Sequence, residues 1–149
     1  DIITICGMGG RLIADIVTKG MNVITQNTTL IVSPQSEVGD FRHFLVSQGL
    51  VVDDEQMLKE DGKYYFIIKC RKSDESVCFE YSETQYQYGW KLLESKDKTL
   101  YEYLIKEKET NEGISNSLKK DESNPTVKLR LQQLSQKNNI IMDALSYYD

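Results

Sequence analysis

The first ten residues constrain the fold most, because a β-branched run stops abruptly at a cluster of glycines. Residues 2–6 read IITIC, and Gly7-Met8-Gly9-Gly10 follows directly. A short apolar run of this kind predicts a buried parallel strand that enters a tight turn. Apolar residues then recur at helical spacing from Arg11 to about Thr18, and Gly20 supplies a stop signal. The pattern predicts a strand, a glycine turn and a helix.

The same unit occurs a second time. Leu30-Ile31-Val32 forms the next apolar run and ends at Ser33-Pro34-Gln35, after which a second helical pattern is closed by Gly49. Two successive units with right-handed crossovers predict a parallel sheet whose ligand crevice lies at the carboxyl ends of the strands. Ser33, Pro34 and Gln35 should therefore lie beside the glycine turn.

An antiparallel hairpin is predicted next. Apolar residues at 50–52 and 57–58 lead to the turn Glu60-Asp61-Gly62-Lys63, and the strand-like run 64–68 returns. The fold class is therefore α/β, with parallel strands and an antiparallel edge hairpin in one mixed sheet. Residues 73–96 are rich in tyrosine and polar residues, and we expect them to be a connecting segment with short helical pieces.

Residues 97–149 are predicted to form an antiparallel coiled-coil hairpin. Two charged segments flank the helix-breaking turn at 121–125. In each segment, seam residues recur at steps of four and three, which is the spacing of a coiled-coil interface. Folding back at the turn places Glu107 near Asn138 in a polar layer. The expected apolar pairs are Leu100 with Leu145, Leu104 with Ile141, Ile114 with Leu131, and Leu118 with Val127.

Composition limits the class of protein. With 149 residues, of which 40% are hydrophobic and 28% charged, the chain is globular and forms one domain or one domain plus an appendage. The net charge of −5 argues against a protein that coats DNA or RNA non-specifically, but it permits a local basic patch. No apolar run reaches the roughly 18 residues that a membrane span requires. We do not expect the amino terminus to be a signal peptide, because it lacks a basic region and a long apolar region, and the missing initiator Met suggests a fragment or a processed chain.

The cysteines indicate the redox compartment. Cys6, Cys70 and Cys78 are odd in number, lack a metal-binding spacing and have only His43 as a further candidate ligand. We therefore expect a reduced, cytosolic protein without structural zinc. His43 falls among apolar residues of the second predicted helix and is interpreted as structural.

Taken alone, the glycine turn admits more than one function. Gly7-Met8-Gly9 matches the first half of a dinucleotide-binding fingerprint, but Leu12 occupies the third glycine position and no acidic residue ends the next strand. A turn without a ligand is equally compatible with the pattern. Cys6 is either a reactive thiol at the crevice or, more commonly in proteins, a small buried hydrophobe. Tyr65 either stacks on a base or packs within the sheet.

Several segments together resemble one family. They are DIITICGMGGRLIADI, then LIVSPQ, FRHFL and EDGKYY, followed by the helical hairpin. These segments look like the bacterial tRNA adenine-N1 methyltransferases that modify adenine 22, and ICGMGGxLI is the most specific of them. Members of that family have a Rossmann-like class I methyltransferase domain and a carboxyl-terminal coiled-coil hairpin. The resemblance implies a partial methyltransferase domain at 1–72, a connection at 73–96 and the hairpin at 97–149.

The resemblance also implies an activity and a site. It implies transfer of a methyl group from S-adenosyl-L-methionine to N1 of an adenine in tRNA, in the cytoplasm and without a metal. Cys6, Gly7, Met8 and Gly9 would form the crevice wall, with Cys6 and Gly7 touching the cofactor. Ser33, Pro34, Gln35 and Tyr65 would lie beside the base. Relatives tend to have Gln-Pro-Asn where this chain has Ser33-Pro34-Gln35.

The resemblance covers roughly the carboxyl-terminal two-thirds of the family. The glycine loop that holds most of the cofactor lies upstream of the matched region, so we expect these residues alone to be inactive. We also expect an open sheet edge that can self-associate. The alternatives are another class I methyltransferase or dinucleotide-binding enzyme, and a non-catalytic helical-hairpin interaction module. A basic cluster of Lys119, Lys120, Lys128 and Arg130 on the hairpin could contact tRNA.

Overall fold

A computed structural model of the chain describes residues 1–74 and 79–149. Cys78, one of the three cysteines considered above, lies outside these ranges. In chain order the elements are β1 (Ile2–Met8), α1 (Gly10–Gly20), β2 (Thr29–Pro34), α2 (Val38–Ser47), β3 (Leu50–Glu60), β4 (Lys63–Lys72), α3 (Glu83–Tyr88), α4 (Trp90–Glu94), α5 (Lys98–Leu118), a 3₁₀ turn (Lys119–Asp121) and α6 (Pro125–Ser146).

The strands form one four-stranded sheet in the order β1-β2-β4-β3. β1 and β2 are parallel, whereas β4 runs antiparallel to both of its neighbours. This confirms the predicted mixed sheet with an antiparallel edge hairpin. The hairpin strands are longer than the apolar runs suggested, because β3 pairs with β4 from Leu50–Lys72 to Glu60–Lys63 and the ladder continues through polar residues.

The two faces of the sheet differ. Leu30, Val32, Ile68 and Cys70 are fully buried in one core with residues of α1 and α2, and we call this the helix-covered face. Because successive strand residues point to opposite faces, their neighbours lie on the other side. There the side chains are exposed or half-buried, and we call this the open face: Cys6, Ile31, Ser33, Tyr65 and Ile67.

The two short helices α3 and α4 join the sheet to the helical hairpin, as predicted for the connecting segment. Tyr86 and Trp90 belong to the core under α1 and α2. Tyr88, Leu92 and Leu93 belong to a second core, which also contains residues of β3, β4, α5 and α6. Residues 83–94 thus contribute alternately to both cores.

A buried ion pair fixes this connection. The Arg42 Nε donates to Glu55 Oε1 at 2.7 Å, and both side chains are almost completely inaccessible. The Arg42 Nη1 also donates to the carbonyls of Tyr86 and Gln87, each at 2.9 Å. Glu55 Oε2 in turn accepts from the backbone N–H of Lys91 at 3.2 Å. One charge pair therefore ties α2 and β3 to both short helices.

The hairpin of α5 and α6 is antiparallel as predicted, and its polar layer also includes Asn111. The Nδ2 of Asn111 donates to Oδ1 of Asn138 at 3.2 Å. Glu107 lies 3.7 Å from Lys137, the residue before Asn138, and accepts from the hydroxyls of Tyr88 and Tyr103, each at 3.0 Å. Those buried hydroxyls need an acceptor, and Glu107 is the carboxylate within their reach.

The hairpin is well packed near the sheet and as far as Leu134, which is 2% exposed. Leu100, Leu104 and Ile141 are completely buried in the second core, and Leu145 packs against it. Towards the tip, Ile114 is 38% exposed, and the other predicted seam residues there are half-buried.

Candidate active site

The carboxyl ends of β1 and β2 meet, as the strand–turn–helix pattern predicts. The backbone N–H of Gln35 donates to the carbonyl of Met8 at 2.9 Å, and that of Gly10 donates to the carbonyl of Ser36 at 2.9 Å. The β1–β2 register shifts between Cys6 and Met8, so Gly7 is an extra residue at the strand end. The glycine turn and the loop after β2 are therefore held side by side.

Two glycines in the turn are required for different reasons. Gly7 has φ of +78°, a left-handed conformation that favours glycine, and a Cβ built on it meets nothing within 4 Å. Its backbone therefore faces open space. A Cβ on Gly10 would lie 2.8 Å from the carbonyl oxygen of Ser36 and 2.9 Å from that of Glu37. Glycine at position 10 thus lets α1 begin directly against the β2 loop.

A groove of about 300 Å³ lies on the open face at this strand end, and we call it the strand-end groove. Five of the predicted site residues line it: Cys6, Gly7, Ser33, Gln35 and Tyr65. The remaining walls are Ile31, Leu58, Glu60 and Ile67. The sequence therefore grouped residues from β1, β2 and β4 that the fold brings together.

The other three predicted site residues lie elsewhere. Met8 is half-buried against the core of the helix-covered face, and Gly9 lies close to Ser36, whose Oγ would be 2.7 Å from a Cβ on this glycine. Pro34 is buried and lines a second cavity, described below. These residues support the groove from behind.

The two described cysteines occupy opposite environments. Cys6 is exposed among the described residues. Cys70 is buried on the helix-covered face, where burial, aided by the charge of Asp53, raises the pKa of its thiol to about 12. His43 stacks on the ring of Tyr86 with centroids 3.6 Å apart and lies 3.4 Å from Glu83, which agrees with its structural interpretation.

A second cavity of about 340 Å³ adjoins the strand-end groove, and we call it the tyrosine pocket. Gln35 lines both cavities. The aromatic walls of the pocket are Tyr64, Phe66, Tyr88 and Tyr103, and its polar and backbone walls are residues 34–40 and Gln87. No local pattern marks Tyr88 or Tyr103 as pocket residues, because only the packing of α3 and α5 on β4 brings them to this place.

The hydroxyls of the pocket tyrosines are already bonded. Tyr88 and Tyr103 both donate to Glu107, and burial, followed by the charge of Glu107, raises the pKa of both phenols. Tyr64 donates to Glu102 at 3.0 Å, and Lys59 pairs with the same carboxylate. The hydrogen bond from Lys59 is the main cause that holds the pKa of Glu102 below its ordinary value. Tyr88 and Tyr103 therefore present neutral aromatic surface to the pocket.

Within residues 1–74 and 79–149, no group of three or more His, Cys, Asp or Glu residues could hold a metal ion. In the same ranges, none of the helices combines the length and apolar character that crossing a bilayer demands.

Comparison with known proteins gives a consistent picture. The TrmK family, described as tRNA (adenine(22)-N(1))-methyltransferase, matches residues 1–142. The tRNA (adenine(22)-N(1))-methyltransferase of Bacillus subtilis (strain 168) is 35% identical over 80 residues, which are 54% of this chain and 34% of the relative.

Two solved structures share the fold. The B. subtilis M1A22 tRNA methyltransferase TrmK superposes with a TM-score of 0.79 at 25% identity, over 97% of this chain and 62% of that one. Sp1610 of Streptococcus pneumoniae, solved in complex with S-adenosyl-L-methionine, gives 0.78 at 27% identity, over 97% of this chain and 59% of that one.

The chain thus spans about a third of the curated relative and about three-fifths of these solved structures. The family match nevertheless extends over the glycine turn, the whole mixed sheet and most of the helical hairpin, in the order in which the structure presents them. On this evidence the chain belongs to the TrmK family of tRNA (adenine(22)-N(1))-methyltransferases.

Proposed function

We propose that the protein transfers the methyl group of S-adenosyl-L-methionine to N1 of adenine 22 in tRNA, as the family description states. The observation that carries this proposal is the strand-end groove, in which the exposed Gly7 turn faces Ser33, Gln35 and Tyr65. The cofactor complex of the Streptococcus pneumoniae relative supports the choice of cofactor.

Cys6 and Gly7 fit a role in cofactor contact. Cys6 is exposed, and a Cβ on Gly7 would point into open space, so a ligand can approach the backbone closely here. The sulfonium of S-adenosyl-L-methionine supplies the electrophilic methyl group. We assign Cys6 and Gly7 to one side of the cofactor site, while Met8 and Gly9 form the wall behind them.

The groove residues from β2 and β4 would receive the base. Adenine N1 is a weak, in-plane nucleophile that is normally stacked or paired, so the base must leave its stack before it can react. Ser33 and Gln35 have side chains that can hydrogen-bond a base edge, and Tyr65 is a half-buried ring on which a base can stack.

The chain's own contribution is then alignment. The Gln35–Met8 backbone hydrogen bond keeps the base side and the cofactor side of the groove at a fixed separation. Pro34 fixes the backbone between Ser33 and Gln35. Holding N1 in line with the methyl carbon and excluding water from between them removes most of the entropic barrier.

We further propose that the three parts of the chain have separate tasks. Residues 1–72 would contribute the methyltransferase part, 73–96 the connection and 97–149 a hairpin that holds the tRNA. Lys119, Lys120, Lys128 and Arg130 are exposed around the hairpin tip, where they can contact phosphates. Neutralising all four should lower the salt dependence of tRNA binding, whereas an unchanged salt slope would remove the hairpin tip from the interface.

We place the protein in the cytoplasm, where its substrate tRNA would be found. The thiols of Cys6 and Cys70 are free, which fits a reducing compartment.

The test is methyl transfer from labelled S-adenosyl-L-methionine to unmodified tRNA, run with the natural gene product and with residues 1–149 alone. We expect label in tRNA with adenine at position 22, none when guanine replaces it, and none with residues 1–149 alone. Ser33→Ala and Gln35→Ala should each lower the rate about tenfold, the effect of one well-placed hydrogen bond. Ser47→Ala, at the exposed end of α2, is the control and should have no effect. Label in tRNA that does not depend on the base at position 22 would overturn the proposal. Calorimetry that detects binding of NAD but not of S-adenosyl-L-methionine would favour a dinucleotide-binding enzyme.

A further inference from the structure

We propose that the tyrosine pocket holds a second unpaired base of the RNA, adjacent to the base that enters the strand-end groove, and that it favours bases with an exocyclic amino group. This inference rests on the proposed function, because it assumes an RNA substrate. Apart from Pro34 and Gln35, the pocket is formed by different residues from those assigned to the methylated base.

The aromatic walls offer stacking surface. The rings of Tyr64 and Tyr103 lie 5.1 Å apart at 62°, and those of Phe66 and Tyr103 lie 5.8 Å apart at 90°. Both tyrosines line the pocket, and bases stack on accessible aromatic rings in proteins that bind single-stranded RNA. Tyr64 and Tyr103 are both half-buried, so part of each side chain remains accessible.

The polar lining favours particular base edges. Glu37, Asp40, Gln35 and Gln87 line the pocket, and all four are exposed. Their carboxylate and amide oxygens accept hydrogen bonds, so they suit the exocyclic amino groups of adenine, cytosine and guanine. Uracil has no such group. The two carboxylates also disfavour a phosphate inside the pocket, which leaves the base as the part of a nucleotide that enters.

The position of Gln87 is set by the buried ion pair. Arg42 donates to the carbonyl of Gln87 at 2.9 Å, and Glu55 holds Arg42 from the opposite side. The residue at this wall of the pocket is thus held by a rigid element of the core. The hydrogen bond fixes the backbone of Gln87, from which the exposed side chain reaches the pocket.

Positive charge lies at the rim. The Nζ atoms of Lys59 and Lys106 lie 5.4 and 5.5 Å from the centroid of the Tyr64 ring. Lys59 is paired with Glu102, whereas Lys106 is exposed and can reach a phosphate outside the pocket while a base lies within it.

The shared wall links the two cavities. Gln35 lines both, and its backbone N–H is bonded to Met8 beside the glycine turn. Neighbouring nucleotides of an unstacked strand can therefore enter on the two sides of Gln35. A second anchored base would fix the orientation of the first, which is what alignment of N1 requires.

The test uses the isotope-labelled natural gene product and two-dimensional amide NMR, with single-stranded AAAA and UUUU tetranucleotides as probes. We expect AAAA to shift signals of Gln87, Tyr64 and Tyr103, and UUUU to bind several-fold more weakly. Shifts confined to other surfaces, or equal binding of the two probes, would overturn the inference. This part needs no substitution, so it is decisive even if a variant fails to fold.

Variants sharpen the result. Tyr64→Ala should weaken AAAA binding about tenfold, the usual effect of losing one stacking ring, and Tyr64→Phe should restore it. Tyr101→Ala is the matched control, since Tyr101 is on the same helix as Tyr103 but contacts Tyr148 outside the pocket. Equal losses in Tyr64→Ala and Tyr101→Ala would count against the pocket.

Methyl transfer by the natural gene product separates this inference from the proposed function. Tyr64→Ala should raise the KM for tRNA about tenfold. An active Tyr64→Ala enzyme with an unchanged KM would overturn the pocket and leave the function standing. If the protein bound AAAA specifically in the pocket but methylated no tRNA, the pocket would stand and the proposed function would be overturned.

Discussion

The two faces of the sheet are made from alternate residues of the same strands, yet they differ in almost every property. On the helix-covered face, Ile68 and Cys70 are completely buried. On the open face, Ile67 is half-buried and Cys6 is exposed, and the strand-end groove runs between β1, β2 and β4. One face therefore supplies most of the stability, and the other supplies the surface on which the proposed chemistry takes place.

The largest expected effect comes from the ion pair beneath the helix-covered face. Glu55→Gln leaves the charge of Arg42 buried without a counter-ion, and we expect a loss of about 3–5 kcal/mol in the free energy of unfolding. Burial lowers the pKa of Arg42, whereas the charge of Glu55 and its hydrogen bond raise that pKa. Chemical denaturation measures this loss.

The control is the ion pair between Arg71 and Asp53, which are 48% and 29% exposed. Asp53→Asn should change stability by less than about 1 kcal/mol. Similar losses in Asp53→Asn and Glu55→Gln would mean that burial does not distinguish the two pairs.

A neighbouring pair of isoleucines tests the faces directly. Ile68→Ala removes a completely buried side chain and should cost about 2–5 kcal/mol. Ile67→Ala, one residue earlier on the open face, removes a half-buried side chain and should cost clearly less. Comparable denaturation midpoints for the two variants would contradict the division of the sheet into two faces.

Alkaline pH should weaken the helix-covered face. Burial raises the pKa of Cys70 from an ordinary value of 9.0 to about 12, so the unfolded chain ionises first. The stability that this thiol contributes is complete below pH 9 and falls by about 1.4 kcal/mol per pH unit towards pH 12. Denaturation curves recorded at several pH values give the free energy of unfolding as a function of pH. Just above pH 9, this free energy should fall less steeply with pH in Cys70→Ala than in the unaltered chain. Parallel slopes would refute the assignment.

The smallest effect concerns the outer edge of β1. This strand has a partner only on the β2 side within the described sheet, and Ile2 is 70% exposed beside it. We propose weak self-association of residues 1–149 through this edge, which light scattering would detect as a mass that rises with concentration. Ile2→Lys should abolish the rise, and a constant monomer mass would exclude the contact.

Local patterns identified the elements better than they identified the contacts between them. The glycine turn, both strand–helix units, the β3–β4 hairpin and the helical hairpin follow from spacing and turn residues alone. Arg42 and Glu55 look like ordinary surface charges in the sequence, and only the packing of α2 on β3 buries them.

The candidate site shows the same difference. Cys6, Gly7, Ser33 and Gln35 could be grouped because parallel strands end at one edge. Tyr103 joins the tyrosine pocket only because α5 crosses β4, which no local pattern specifies. Likewise, the hydrogen bond from the Tyr88 hydroxyl to Glu107 joins α3 to α5, and no local pattern specifies it.

The most direct test of whether the open face carries the reaction is single-turnover methyl transfer by the natural gene product. It is measured for Tyr65→Ala and Ile68→Val, together with the denaturation midpoint of each variant. Tyr65→Ala should lower the rate about tenfold with little change in its midpoint, since Tyr65 faces the groove. Ile68→Val should lower the free energy of unfolding by about 0.5–1.5 kcal/mol, which lowers the midpoint, and should leave the rate unchanged. A full rate in Tyr65→Ala, or a loss of rate that follows stability in both variants, would contradict the assignment of the groove as the active site.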